Sequence, residues 1–150
     1  VDRVDEVTRN LYISPQALEA VRNGDSIPEN TLIVIEAFNA ARNPDGSVQT
    51  DEEGWLIPGE PLEEIHVGER RSTWQISDLA ASSHLGGWNF AAFDFDTQLP
   101  VSSTLNDCFS CHDAADRREF IFSFPQLNRF ARTGELEQVY CRLADRQICF

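Results

Sequence analysis

The sequence predicts an α+β domain: a mostly antiparallel β-sheet with flanking short helices. Three observations carry that expectation. Thr31 to Phe38 (TLIVIEAF) is rich in β-branched residues and nearly all apolar. Trp88 to Phe95 follows Gly86-Gly87 and is dense in aromatics, which suit a strand. Helix start and stop signals lie towards the two ends of the chain, outside the strand region, which is the pattern of an α+β domain and not of alternating βαβ units. At 150 residues, 41% of them hydrophobic, the chain suits one domain over 1–150 with one core.

The first helix is expected at Ser14 to Gly24. Ser14 serves as N-cap, Pro15 takes the first helical position and Gly24 closes the end. Ile27-Pro28-Glu29-Asn30 reads as a turn before the buried strand from Thr31 to Phe38. Asn43-Pro44-Asp45-Gly46 is a second turn signal. Ser47 to Pro61, acidic and punctuated by Gly and Pro, reads as a loop or ragged hairpin. Its Asp51, Glu52 and Glu53 belong to a solvated turn, since no ligand-loop pattern surrounds them.

Leu62 to Arg70 alternates as a strand with Ile65 and Val67 inward, and Ser72 to Ile76 is a candidate neighbour. In Trp88 to Phe95, period-two geometry puts Trp88, Phe90, Ala92, Asp94 and Asp96 on one face, with Phe93 and Phe95 on the other. Arg117 to Phe124 and Pro125 to Arg132 read as short helices, the second closed by Gly134.

Net charge is −13, with 25 acidic residues against 12 cations, every one of them Arg. That balance argues against nucleic acid and anionic membrane as partners, and it is compatible with a basic redox partner. No run approaches the length of a membrane span. The chain starts at Val1 and contains no Met, as expected of a chain whose secretory signal has been removed.

Cys108-Phe109-Ser110-Cys111-His112 carries the chemistry. Two thiols three positions apart, followed by an imidazole, form the attachment signature of a c-type haem. Each thiol adds across one porphyrin vinyl group, and the next residue offers its imidazole to the iron as proximal ligand. Zinc half-sites and redox pairs also use Cys-x-x-Cys. The remaining thiols, Cys141 and Cys149, lack the tight spacing of a second zinc ligand pair, and no βαβ pattern surrounds the motif. One covalent haem c is therefore expected. Attachment of this kind resembles what bacteria do outside the cytoplasmic membrane, so a periplasmic location is expected. In that oxidising compartment Cys141 and Cys149 read as a disulfide pinning the tail, worth about 2–3 kcal/mol, with two separate buried thiols as the alternative.

The other iron ligand is narrowed by elimination. Without Met or Lys, only His66 and His84 remain as nitrogen ligands beyond His112. The site is either five-coordinate with an open face or bis-His. A solvated surface role is the ordinary reading of both histidines, so the open face is the expectation.

At this point the chain resembles the cytochrome P-460 and cytochrome c′-beta family. Three segments carry the likeness: Gly86-Gly87-Trp88-Asn89-Phe90-Ala91-Ala92-Phe93-Asp94 with Asp96, then Cys108 to Asp113, then Glu119-Phe120-Ile121-Phe122-Ser123. The resemblance implies a mostly antiparallel sheet packed on a c-type haem, commonly in a homodimer. It implies His112 as proximal ligand and an open distal side lined by Phe90, with Phe38 as a second lining residue.

One branch of that family oxidises hydroxylamine and has a lysine cross-linked to the porphyrin; the other binds nitric oxide or similar gases in an apolar pocket. Lys is absent here, so that cross-link cannot form. Ala91 stands where oxidising members tend to carry Glu. Asp96 matches an acidic position and lies on the Phe90 face if the strand runs on, where it could accept protons near a bound ligand; an ordinary strand-end carboxylate is the alternative. Arg42 and Arg70 are candidates for a distal anion or a haem propionate, with solvated Arg as the default. The leading expectation is thus a periplasmic haem protein binding nitric oxide or a related small ligand, with or without slow redox turnover. The rivals are a bis-His electron carrier and a hydroxylamine-oxidising enzyme without the cross-link.

Overall fold

The computed structural model describes residues 6–74, 85–101, 109, 112–113, 115–121 and 123–136. A five-stranded antiparallel sheet forms its frame. The strands are β1 (Val7–Ile13), β2 (Leu32–Ala40), β3 (Pro58–Pro61), β4 (Glu64–Arg70) and β5 (Trp88–Asp94). Their order is β1-β2-β4-β5, and β3 pairs with the end of β2. Two helices, α1 (Pro15–Asn23) and α2 (Phe124–Thr133), complete the α+β architecture expected from the sequence. Neither is long and apolar enough to cross a membrane.

Local chemistry sets the helix ends where the sequence places them. Ser14 is extended and its hydroxyl accepts from the Ala17 N–H at 3.3 Å, while Gly24 closes α1 with φ of 81°. Gly134 ends α2 in the same left-handed conformation, and its N–H bonds the Phe130 carbonyl. The Arg22 side chain donates to the Ala131 carbonyl at 2.6 Å and ties the two helices together.

Register decides which side chains meet the helices. Opposed residues share a face, and the pairs Ile13 with Ile33, Ile33 with Gly68, and Gly68 with Phe90 run across the sheet. The face they define holds Leu11, Ile13, Ile33, Ile35, Trp88 and Phe90, and it packs on Ala17, Val21, Leu127 and Ala131 of the helices with Ile27 and Ile121. Burying such side chains contributes roughly 1.5–3 kcal/mol each.

Three expectations are corrected here. Ile65 and Val67 do not point inward; β4 turns His66 and Gly68 to the helix-covered face, because Gly68 is the position that lets the Phe90 ring lie over the strand. β2 is not buried throughout: Ile33 and Ala37 are covered on one face, whereas on the other Leu32 remains 48% exposed and Ala40, at the strand end, is covered. Arg117 to Phe124 is not a helix. A short 3₁₀ turn, Asp116–Arg118, is stopped by Glu119 and Phe120, both left-handed at φ of 54° and 61°. β1 is an element for which the sequence reading had no expectation. The stretch from Ser47 to Pro61 is a ragged hairpin with isolated bridges Arg42–Val48 and Thr50–Leu56, and Asp51 Oδ1 accepts from the Glu53 and Trp55 N–H groups. Within Ser72 to Ile76 only residues up to Trp74 are described, and none of these is in a strand.

Candidate functional site

The site lies on the helix-covered face of the sheet, over β4 and β5. Phe90 is its floor: 5% exposed, stacked on Trp88 at 6.1 Å between ring centroids, with Phe109 edge-on at 6.1 Å. The imidazole of His112 lies flat on the same phenyl ring, with centroids 3.7 Å apart and planes 16° from parallel. Phe109 and His112, from the two ends of the sequence motif, thus converge on one residue of β5. Both are in helical conformation, which suits the turn expected between the two thiols. Cys108 and Cys111 themselves lie outside the described residues, as do His84, Cys141 and Cys149.

A hydrogen-bonded strap fixes the imidazole. The Ala115 N–H donates to the His112 carbonyl at 2.9 Å, and the Phe120 N–H to the Ala115 carbonyl at 2.9 Å. The Phe120 carbonyl closes the ring by meeting His112 Nδ1 at 2.6 Å. A carbonyl can only accept, so the proton of the neutral imidazole sits on Nδ1 and Nε2 is the electron-pair nitrogen. Burial pushes the His112 pKa below its ordinary value; the bond to the Phe120 carbonyl opposes that, and the charge of His66 adds to it. The neutral form is therefore favoured, as a metal ligand must be.

This donor set fits a haem. A proximal His holds iron through one nitrogen while the other donates to a backbone carbonyl, and His112 has that tautomer among aromatic walls. The left-handed Glu119 and Phe120, each costing about 1–2 kcal/mol, persist because the strap needs that reversal of direction. Sequence reasoning missed the strap; its trace was the short apolar stretch Glu119-Phe120-Ile121 that follows the motif.

Other expected site residues fall elsewhere. Phe38 is on the opposite face of the sheet from Phe90, packed edge-on to Phe95 at 6.5 Å, so the two do not line one pocket. The cause is parity: Ile33, Ile35 and Ala37 hold the covered face of β2, and Phe38 is out of phase with them. β5 ends at Asp94, whose carboxylate accepts from the Thr97 N–H and hydroxyl, both at 2.7 Å, and Asp96 is exposed in the turn that follows. The strand extension that would place Asp96 on the Phe90 face is therefore missing. Arg42 binds Glu6 and the Gly46 carbonyl. Arg70 binds Glu119 at 3.0 Å and the Ile27 carbonyl. His66 is on the Phe90 face, opposite Ala92, with its side chain 57% exposed and 3.4 Å from Glu64.

A family model for cytochrome P460 matches residues 2–123, which takes in the sheet, the motif and the strap. No match was found among curated proteins.

Proposed function

Because the chain belongs to the cytochrome P460 family, and is thereby a haem-binding c-type cytochrome, we propose that it is an exported mono-haem protein whose open iron face binds nitric oxide or a related small nitrogen-oxide ligand. Cys108 and Cys111 would carry the haem covalently, and His112 Nε2 would hold the iron. The haem would supply an iron able to bind a small ligand. One observation carries the reading: the one described imidazole packed against aromatic rings, half-buried, has its Nδ1 proton held by a backbone carbonyl.

The chain's own residues account for selectivity by what they omit. Phe90 and Phe109 bring apolar bulk without a hydrogen-bond donor, and Trp88, stacked on Phe90, holds a buried indole N–H that has no hydrogen-bond partner among the described residues. Such walls favour ligands that bond to iron strongly without polar help and filter them by size. The absence of Lys and Met from the 150 residues supports an unmodified porphyrin and an open face. Asp96, exposed in its turn, gives little support to hydroxylamine oxidation.

An optical spectrum of the ferrous protein, with and without nitric oxide, tests this. A five-coordinate high-spin spectrum that changes on adding the gas is expected; a low-spin, six-coordinate ferrous spectrum overturns it. A second reading has an observation of its own. His66 shares the site face and acts electrostatically on His112, so a bis-His electron carrier docking a basic partner is the alternative.

A further inference from the structure

The strap that holds His112 is itself held from the sheet. Arg70, the last residue of β4, sends its guanidinium under the strap, where Nη1 donates to Glu119 Oε2 at 3.0 Å and to the Ile27 carbonyl. Both side chains of the pair are largely covered, 21% and 27% exposed. Glu119 is the first of the two left-handed residues, and Phe120, the second, supplies the carbonyl to His112. On the other side, Gly86 lies so close to the Phe120 ring that a Cβ there would stand 2.3 Å from it. The carbonyl is thus located by a charge-assisted bond on one side and by ring packing on the other.

Resting on the reading of His112 as iron ligand, we propose that Arg70 and Glu119 are positioning residues: their ion pair sets the strength of the hydrogen bond from His112 Nδ1 to the Phe120 carbonyl, and thereby the electron density His112 gives the iron. The physical chain is short. Two consecutive left-handed residues without glycine are unfavourable by themselves and relax when released. Relaxation at Glu119 turns the peptide group that joins it to Phe120, and through Phe120 it moves the carbonyl that follows. A weaker bond at Nδ1 makes Nε2 a poorer donor, since partners in the outer shell govern ligand basicity. A poorer donor stabilises ferric iron less, so the reduction potential rises.

The test uses the haem-loaded protein and three single variants, Glu119→Gln, Arg70→Gln and Glu69→Gln, with the Glu119→Gln/Arg70→Gln double variant. Glu69 pairs with Arg71, the residue just past the strand, at 2.7 Å and serves as the control. Two readouts are taken, the iron–histidine stretching band of the ferrous protein by resonance Raman spectroscopy and the midpoint potential. Glu119→Gln and Arg70→Gln should each move the band to lower frequency and raise the potential. The double variant should go no further than the larger single effect, because both remove one interaction. Glu69→Gln should move neither. A band and potential unmoved in Glu119→Gln overturn the proposal, and this variant keeps the Arg70 bond to Ile27 and so the fold. Failure of the underlying reading looks different: the parent protein would then lack an iron–histidine band of the five-coordinate type, and the potential alone would judge the relay.

Discussion

His112 and Phe90 lie ring on ring, 3.7 Å between centroids and 16° from parallel. No porphyrin fits between rings at that spacing. In this structure Phe90 packs on the imidazole itself, while the Phe120 carbonyl holds Nδ1 from another direction. Phe90 is a core residue, and its proposed second role, as a wall of the ligand site, is one that a variant can test.

Phe90→Ala should cost about 3–5 kcal/mol in a denaturant titration, the ordinary range for a buried Phe truncated to Ala. If the ring lines the ligand side, as the proposed function has it, nitric oxide should also bind faster and be lost faster, by stopped-flow absorbance, with the iron–histidine band unchanged. A shifted band with unchanged ligand kinetics would place Phe90 behind His112 instead.

Gly68 faces Phe90 directly across β4 and β5. A Cβ on Gly68 would come within 3.2 and 3.3 Å of two Phe90 ring carbons, closer than ordinary contact. Gly68→Ala needs the ring to yield by a few tenths of an ångström. Gly68→Val cannot be met that way and should destabilise by about 1–3 kcal/mol through overpacking. The Soret band and the nitric oxide dissociation rate should change progressively through the series Gly, Ala, Val, because the ring moves each time. A flat response would separate Phe90 from the ligand site.

The Asp94 carboxylate anchors the turn that ends β5. The Thr97 hydroxyl, and after it the Thr97 N–H, bond the ionised form and hold its pKa below the usual 3.8. The folded state thus binds this proton less readily than the unfolded chain. The stabilisation is complete above about pH 3.8 and is lost as pH falls through the lower folded value. Asp94→Asn should flatten the acid limb of a plot of melting temperature against pH between about 5 and 2, and an unchanged limb would remove Asp94 as its source.

Much of this was legible in the sequence, and what was missed has a physical cause. Caps and breakers are local, so Ser14, Gly24 and Gly134 marked the helix ends correctly. The facing of Trp88-x-Phe90 was legible because that strand alternates cleanly between faces. β4 was read with the wrong face inward, since hydropathy favours Ile65 and Val67, whereas the register puts His66 and Gly68 beneath the site. Parity likewise misplaced Phe38, because an apolar strand such as β2 gives no sign of which face is buried. The strap from His112 to Phe120 rests on a backbone carbonyl and two left-handed residues, neither of which has a side-chain signature.

His66 decides between the open iron and the bis-His reading. Its register opposite Ala92, two residues from the Gly68–Phe90 pair, brings it to the site face, and its charge acts on His112. The same geometry argues against ligation. The side chain is 57% exposed and turned to Glu64 at 3.4 Å, so binding iron would mean giving up both solvent and that partner. His66→Ala should therefore leave the ferrous spectrum five-coordinate and unchanged. Conversion of a six-coordinate parent spectrum to a five-coordinate one in His66→Ala would establish the bis-His reading. The matching variant Glu64→Gln separates the two further: it leaves the axial ligation of an open-face protein untouched, whereas in a bis-His protein it removes the carboxylate competing for His66 and should tighten six-coordination.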